Sequence, residues 1–459
     1  MFEVKYDQKA LVNVLFETNI EQLITLKDLK VFSGKAGEVY NNLNLENVGT
    51  IFVGTNSEDN NLLDFRMSGF NLGKLLISRK VETVSLETSS LSDEHLKAIL
   101  EGLMDSFYQF EHYKLNKNYS SLKTLIFVEE EREALINETI NLMLGIYTTR
   151  NLVNMPAIDL TPVSYANYIA DLFVDTKVKV EILKKKDIEA LGMHGLLAVA
   201  KGSDNPPRFV VLRYLEGKGK EHLTIVGKGV TYDSGGYAIK PATSMASMKV
   251  DMAGSAAVVG LFDVLAKNNL KTNVVGVMAL TENMIDGSAY KNGDIISTMK
   301  GTTVEVVNTD AEGRITLADA IYYAATKLKS HTILETSTLT GAVVRALGSR
   351  ITGVTTNKID LYNKIHEIGN RVGELNWLMP IYDHLKEEVK SDIAEIKNSV
   401  AGGGGVMTAG IFLEHFAENK PFIHLDIAGT GYTSGYKHIP KGASGVMVKT
   451  FYEYIKENN

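Results

Sequence analysis

The sequence predicts an α/β protein of two domains, each built on a mostly parallel sheet. Two observations carry this expectation. Segments of strand character alternate with segments of helical periodicity along the chain. Composition also changes about a third of the way along. Residues 1–150 are rich in Leu, Glu, Asn and Lys and hold no proline, whereas all 8 prolines lie from Pro156 to Pro440 and glycine thickens from Gly192 onward. Turn-forming residues gather where loops carry function. The run Asn151-Leu152-Val153-Asn154-Met155-Pro156 disfavours an unbroken helix, because the residue before a proline is pushed out of the helical region. The boundary is therefore expected between Arg150 and Pro162. An N-terminal α/β domain would span residues 1–150, and a larger C-terminal α/β domain with a mostly parallel central sheet would span 151–459.

The elements follow from local pattern. Ser92 is placed to cap a helix whose apolar positions Leu96, Ile99, Leu100, Leu103, Phe107 and Phe110 recur in steps that fit one helix face. Leu122 to Val128 reads as a strand, and Glu133 to Arg150 as a helix leading out of the domain. Strands are expected at Val178–Leu183, Phe209–Tyr214, Leu223–Val226, Asn273–Leu280 and Thr332–Thr336. Helices are expected near Ala253–Lys267 and Leu317–Leu328.

Composition excludes several classes. With 44% hydrophobic and 22% charged residues among 459, the chain is neither disordered nor fibrous. No apolar run approaches the length of a membrane span, so no membrane association is expected. The N-terminus lacks the pattern of a secretory signal, which makes the cytoplasm the expected location. With 0 cysteines, disulfide scaffolds, zinc fingers, Cys nucleophiles and iron–sulfur clusters are excluded. The net charge of −7 argues against nucleic acid as a partner. There is no P-loop, no G-x-S-x-G elbow and no H-E-x-x-H pair.

What remains is a charged cluster between 228 and 314. The strand Leu223–Val226 runs into Gly227-Lys228-Gly229-Val230-Thr231-Tyr232-Asp233-Ser234-Gly235-Gly236. Lys240-Pro241, then Met248-Lys249-Val250-Asp251-Met252, then Asn308-Thr309-Asp310-Ala311-Glu312-Gly313-Arg314 complete it. Ligands of parallel sheets bind at the carboxyl ends of strands, which is where Lys228 and Asp233 would fall. If 308–314 is extended, Asp310, Glu312 and Arg314 point to one side. Any one of these residues alone is an ordinary surface charge or cap. Four carboxylates (Asp233, Asp251, Asp310, Glu312) meeting at one point would repel strongly, and hard divalent cations are the usual remedy.

These segments resemble the leucyl aminopeptidase family, the cytosolic M17 metallopeptidases, and the heptapeptide Asn308–Arg314 is its most specific match. Further matches are Gly202-Ser203 with Pro206-Pro207-Arg208, Thr338-Leu339-Thr340-Gly341-Ala342, and His424-Leu425-Asp426-Ile427-Ala428-Gly429. The resemblance covers about residues 150–459; the first 150 match only in general α/β character. Tyr232, Glu335 and Glu395 depart from the residues most usual in the family.

The resemblance implies a dinuclear-metal aminopeptidase that removes N-terminal Leu and other apolar residues from short peptides. It further implies that Lys228, Asp233, Asp251 and Glu312 hold one divalent ion and Asp233, Asp310 and Glu312 the other, as Mn²⁺ or Zn²⁺. A metal-bridging hydroxide would attack the scissile carbonyl. Lys240 would stay protonated and stabilise the oxyanion, and Arg314 would anchor a bicarbonate that acts as general base. Met248, Thr338, Leu339 and Ala443 would line the substrate pocket. The assembly implied is a homohexamer, to which the N-terminal domain would be accessory.

Overall fold

The computed structural model describes residues 2–16, 26, 28, 30–117, 120–129 and 131–458. The chain forms two compact units. One comprises Met1–Met143 with Ser434–Lys441, the other Leu144–Thr433 with Gly442–Asn459.

The first unit carries strands β1 (Glu3–Tyr6), β2 (Val12–Phe16), β3 (Val39–Leu43), β4 (Gly49–Val53), β5 (Thr83–Glu87) and β6 (Thr124–Phe127). They form one sheet in the order β1-β6-β5-β2-β4-β3, parallel except for the β3–β4 pair. Parallel neighbours need crossover connections, supplied here by the helices Leu62–Ser78 and Asp93–Phe107. Ser92 caps the second, its hydroxyl accepting from the N–H of His95 at 3.2 Å. That helix ends at Phe107, so Phe110 lies beyond it, because Tyr108 turns extended with ψ 126°. The two helices lie backbone to backbone. A Cβ on Gly69 would sit 1.9 Å from the carbonyl of Ile99, and one on Gly102 would sit 1.8 Å from that of Arg66. A buried ion pair, Arg66 Nε to Glu101 Oε2 at 2.6 Å, bridges them.

The second unit is organised on β7 (Lys179–Leu183), β8 (Arg208–Leu215), β9 (Leu223–Asp233), β10 (Asn273–Asn283), β11 (Ile295–Ser297), β12 (Thr303–Glu305), β13 (Thr332–Ser337), β14 (Thr352–Thr356), β15 (Asn376–Leu378), β16 (Ile396–Lys397), β17 (Phe422–Asp426), β18 (Tyr432–Thr433) and β19 (Gly442–Ala443). The main sheet runs β15-β14-β17-β13-β9-β10-β8-β7. Its centre, β17-β13-β9-β10, is parallel, and antiparallel pairings flank it. Central strands of such a sheet are buried on both faces, as β9, β10 and β13 are almost throughout; β10 accordingly reads as a long apolar run, whereas β13 (Thr-Ile-Leu-Glu-Thr-Ser) buries polar residues as well.

Helix Ala253–Asn268 covers one face. A Cβ on Gly276 of β10 would touch its Val258 and Phe262 at 2.8 and 2.9 Å. The other face packs Val226, Val277 and Ile333 against Leu317, Ala320, Ile321 and Ala324 of helix Glu312–Thr326, together with Phe412 and Phe416. Helix Ala253–Asn268 begins hard against the sheet, since a Cβ on Gly254 would stand 2.1 Å from the carbonyl of Thr336. Two helix N-termini thereby meet the carboxyl ends of β9, β10 and β13. Among the described residues no helix is long and apolar enough to cross a membrane.

Candidate metal centre

Strand β9 delivers the first two site residues, and it does so through an irregularity. Lys228 and Asp233 are five residues apart, a spacing that sets them on opposite faces of a regular strand. The β9–β10 register shifts between Thr281 and Glu282: Thr281 pairs with Val230, but Glu282 pairs with Tyr232. Thr231 is the extra residue of a β-bulge, and one extra residue restores both side chains to the same side. Just beyond, Gly235 and Gly236 take φ of +87° and +60°, which turn the chain back so that Lys240 returns over Asp233.

Asp251 comes from the 3₁₀ turn Met248–Met252 that leads into helix Ala253–Asn268. Asp310 lies in the 3₁₀ turn Thr309–Ala311, and Glu312 and Arg314 lie in the first turn of helix Glu312–Thr326. The extended conformation considered for 308–314 is therefore replaced by a helix start. The cause is local: the Asn308 side chain accepts from the N–H of Asp310 at 2.9 Å and caps the turn.

The groups converge in two linked sets. Lys228 Nζ lies 2.9 Å from Asp251 Oδ2 and 2.8 Å from Glu312 Oε1, and it donates to the Thr338 carbonyl at 3.2 Å. Lys240 Nζ lies 2.8 Å from Asp233 Oδ2 and 2.5 Å from Asp310 Oδ1. Asp233, Asp310 and Glu312 each present an oxygen within 4.8 Å of the others. Lys228 passes through a slot left by Gly313, where a Cβ would lie 2.5 Å from both Cε and Nζ.

Burial dominates the ionisation of the cluster. It lifts Asp233 to about 6, with Glu312 adding to the rise and Lys240 and Lys228 opposing it. It lifts Asp251 well above, and Asp310 above, the ordinary carboxylate range, again against the lysines. Burial also pushes Glu312 up, but Lys228 and Lys240 outweigh it and hold Glu312 below its usual value. For Lys228 and Lys240 burial disfavours the ammonium, yet the surrounding carboxylates win and both are raised. Burial lowers Arg314 to about 10, partly offset by Glu312 and Asp426. Its Nη1 donates to the Asn398 carbonyl at 2.6 Å.

Two ammonium groups face four carboxyl groups crowded into a desolvated space, and burial works against the ionisation of three of them. Glu312 Oε2 is buried with no hydrogen-bond partner among the described residues. An orphaned carboxylate oxygen among oxygen donors fits a hard divalent cation.

The expected pocket residues fall in different places. Thr338 braces a ligand candidate: its hydroxyl donates to Asp251 Oδ1 at 2.8 Å. Leu339 packs against the core and its N–H donates to Asp426 Oδ1 at 3.1 Å. Met248 is half-buried at the start of the turn that carries Asp251. Ala443 is buried on β19, its N–H donating to Asn154 Oδ1 at 3.1 Å. Sequence reasoning missed Asn283, which ends β10 beside Asp233, and Asn398, the partner of Arg314. The only available signal for Asn283 was a polar residue at the carboxyl end of a strand next to β9.

Fold and site together define an α/β protein with a buried carboxylate–lysine centre suited to divalent cations. The model of the cytosol aminopeptidase family catalytic domain matches residues 147–452, and that of the family's N-terminal domain matches residues 5–117. A probable cytosol aminopeptidase of Treponema denticola is 39% identical over 99% of this chain and 99% of its own. One of Clostridium tetani is 42% identical over 94% of this chain and 92% of its own. Among solved structures, the bottromycin maturation enzyme BotP in complex with Mn superposes with a TM-score of 0.86 at 28% identity, covering 100% of both chains. The chain belongs to the cytosol aminopeptidase family. Membership makes it a metal-dependent aminopeptidase, a hydrolase.

The Lys228 slot generates a prediction. Gly313→Ala puts a Cβ 2.5 Å from the lysine Cε and Nζ and must push the amine aside to reach ordinary contact; a misplacement of about 1 Å at a reacting centre costs about 100-fold in rate. The variant is expected to keep its circular dichroism spectrum and lose about that factor in kcat/KM. Wild-type kinetics would show that the slot is unimportant.

Proposed function

We propose that the protein is a dinuclear aminopeptidase that removes N-terminal Leu and other apolar residues from short peptides in the cytoplasm. The observation that carries this reading is the Asp233–Asp310–Glu312 cluster, with Asp233 and Glu312 buried and Asp310 half-buried, and its orphaned Glu312 oxygen. Lys228, Asp233, Asp251 and Glu312 would hold one ion and Asp233, Asp310 and Glu312 the other, with Mn²⁺ or Zn²⁺ as occupants. When bound, the ions supply a Lewis acid for the scissile carbonyl, a ligand site for the free α-amine and a lowered pKa for water.

The chain's own residues do the rest. Lys228 must give up its proton to act as a donor, and the slot beside Gly313 holds its amine against Glu312. Lys240, kept protonated by Asp233 and Asp310, is aimed where an oxyanion develops; a fixed cation there stabilises the transition state without reorganisation. Arg314 would hold bicarbonate, the general base for the proton passed to the leaving amine; its buried Nε has no hydrogen-bond partner among the described residues. Met248 and Ala443 would shape an apolar pocket, with Thr338 and Leu339 beside it. Met suits varied apolar side chains.

The deciding assay is release of p-nitroaniline from leucine p-nitroanilide with Mn²⁺, with and without a chelator. Activity insensitive to chelation would overturn the metal reading. Asp251→Ala and Glu312→Ala are each expected to abolish turnover and to bring metal content below two ions per subunit by elemental analysis. Retention of both ions by either variant would remove that residue from the ligand set.

Lys240→Ala separates electrophile from ligand. It is expected to keep both ions while losing about 100-fold or more in kcat. Loss of metal instead would make Lys240 a ligand.

We further propose a homohexamer, whose enclosed sites would admit short peptides and exclude folded proteins. Six subunits of 50.4 kDa amount to about 302 kDa. Light scattering at micromolar concentration is expected to find that mass, and a fully active monomer would refute the assembly.

A further inference from the structure

The carboxylate of Asp233 is held by a residue outside the proposed ligand set. Asn283 ends β10 directly beside Asp233 and is wholly buried. Its Nδ2 donates to Asp233 Oδ1 at 2.8 Å and to the Thr309 carbonyl at 3.0 Å. One amide thus ties the end of β9 to the turn that presents Asp310. Reversing the amide would set three acceptors against one another, so only this orientation makes the bonds.

The surroundings reinforce the clamp. The Asn283 carbonyl accepts from the Ser234 N–H at 3.0 Å and hydroxyl at 2.7 Å. The Tyr290 hydroxyl donates to the same Thr309 carbonyl at 2.8 Å, and the Thr309 hydroxyl donates to the Gly235 carbonyl at 2.8 Å. Asp233 Oδ1 takes a second donor, the Gly235 N–H, at 2.9 Å. Its acceptor capacity is therefore spent on the protein, and Oδ2 alone faces the cluster, at Lys240.

We propose that Asn283 is a positioning residue for the metal centre: it commits Asp233 to binding through Oδ2 only and sets the separation between Asp233 and the Asp310 turn. A second observation supports this. Asn283 Oδ1 is buried without a hydrogen-bond partner among the described residues, so the amide's bonds to the site are made by Nδ2 alone. The inference rests on the reading of Asp233 as a ligand.

The test is calorimetric titration of the full chain, stripped of metal, with Mn²⁺ alone. Wild type, Asn283→Ala and Asn283→Leu are compared; the leucine keeps the volume and removes the donor. Loss of such an outer partner weakens metal binding about 10–100-fold, and that range is expected for both variants. Thermal melts in EDTA are expected to stay cooperative and within a few degrees of wild type. Wild-type Mn²⁺ affinity in a folded variant overturns the proposal. Loss of cooperative melting in both variants assigns Asn283 to the fold and also overturns it. No Mn²⁺ binding by the wild type overturns the ligand reading itself, and this inference with it.

Discussion

Four carboxylates, three of them buried and Asp310 half-buried, crowd the mouth of one sheet and repel each other, and the architecture around them answers that repulsion. Two carboxylate oxygens at the 4.8 Å limit of the Asp233–Asp310–Glu312 cluster cost about 3.5 kcal/mol at an effective dielectric of about 20. Lys228 and Lys240 cancel part of the charge, each bridging two carboxylates. The remainder is an electrostatic demand for cations. On the proposed function the groups that now serve as ion-pair partners would also be the metal donors, so metal binding would compete with lysine protons.

Secondary structure shares the load. Asp310 and Glu312 stand at the start of one helix, and Asp251 in the turn that opens another. Helix N-termini favour negative charge through their unpaired N–H groups and aligned peptide dipoles. Those helices must begin close to the strand ends, and glycine makes this possible. Gly254 lets one helix touch β13, and Gly313 lets Lys228 pass the other. Here the glycines act through absent volume; Gly235 and Gly236 act through backbone conformation.

Much of the fold was legible because it is written in local pattern. Strand and helix alternation, the Ser92 cap and the buried runs of β9, β10 and β13 depend on neighbours a few residues away, and the observed elements follow the expected ones closely. The chemistry of the site was legible for a similar reason. Its side chains sit in short segments whose residue types match a known family, and Lys228, Asp233, Asp251, Asp310 and Glu312 are all brought together.

What local pattern could not decide was direction and company. Whether Lys228 and Asp233 share a face depends on one unpaired residue, Thr231, which exists as a bulge only against the register of β10. The helical start at 308–314 is a different case: Asn308 caps Asp310 from two residues away, a local signal that the extended reading overlooked. Asn283 carries no motif of its own; its importance arises from a strand pairing that sets it beside a residue 50 positions away. Likewise Ser434–Lys441 belongs to the compact unit of the first 143 residues, far from it in sequence. The sequence alone determined which groups are present and, 308–314 apart, which of the segments read from it are strand or helix, because those are short-range preferences. Tertiary structure decided which way the groups face and what braces them, because register, bulges and close backbone approach are set by contacts between distant segments.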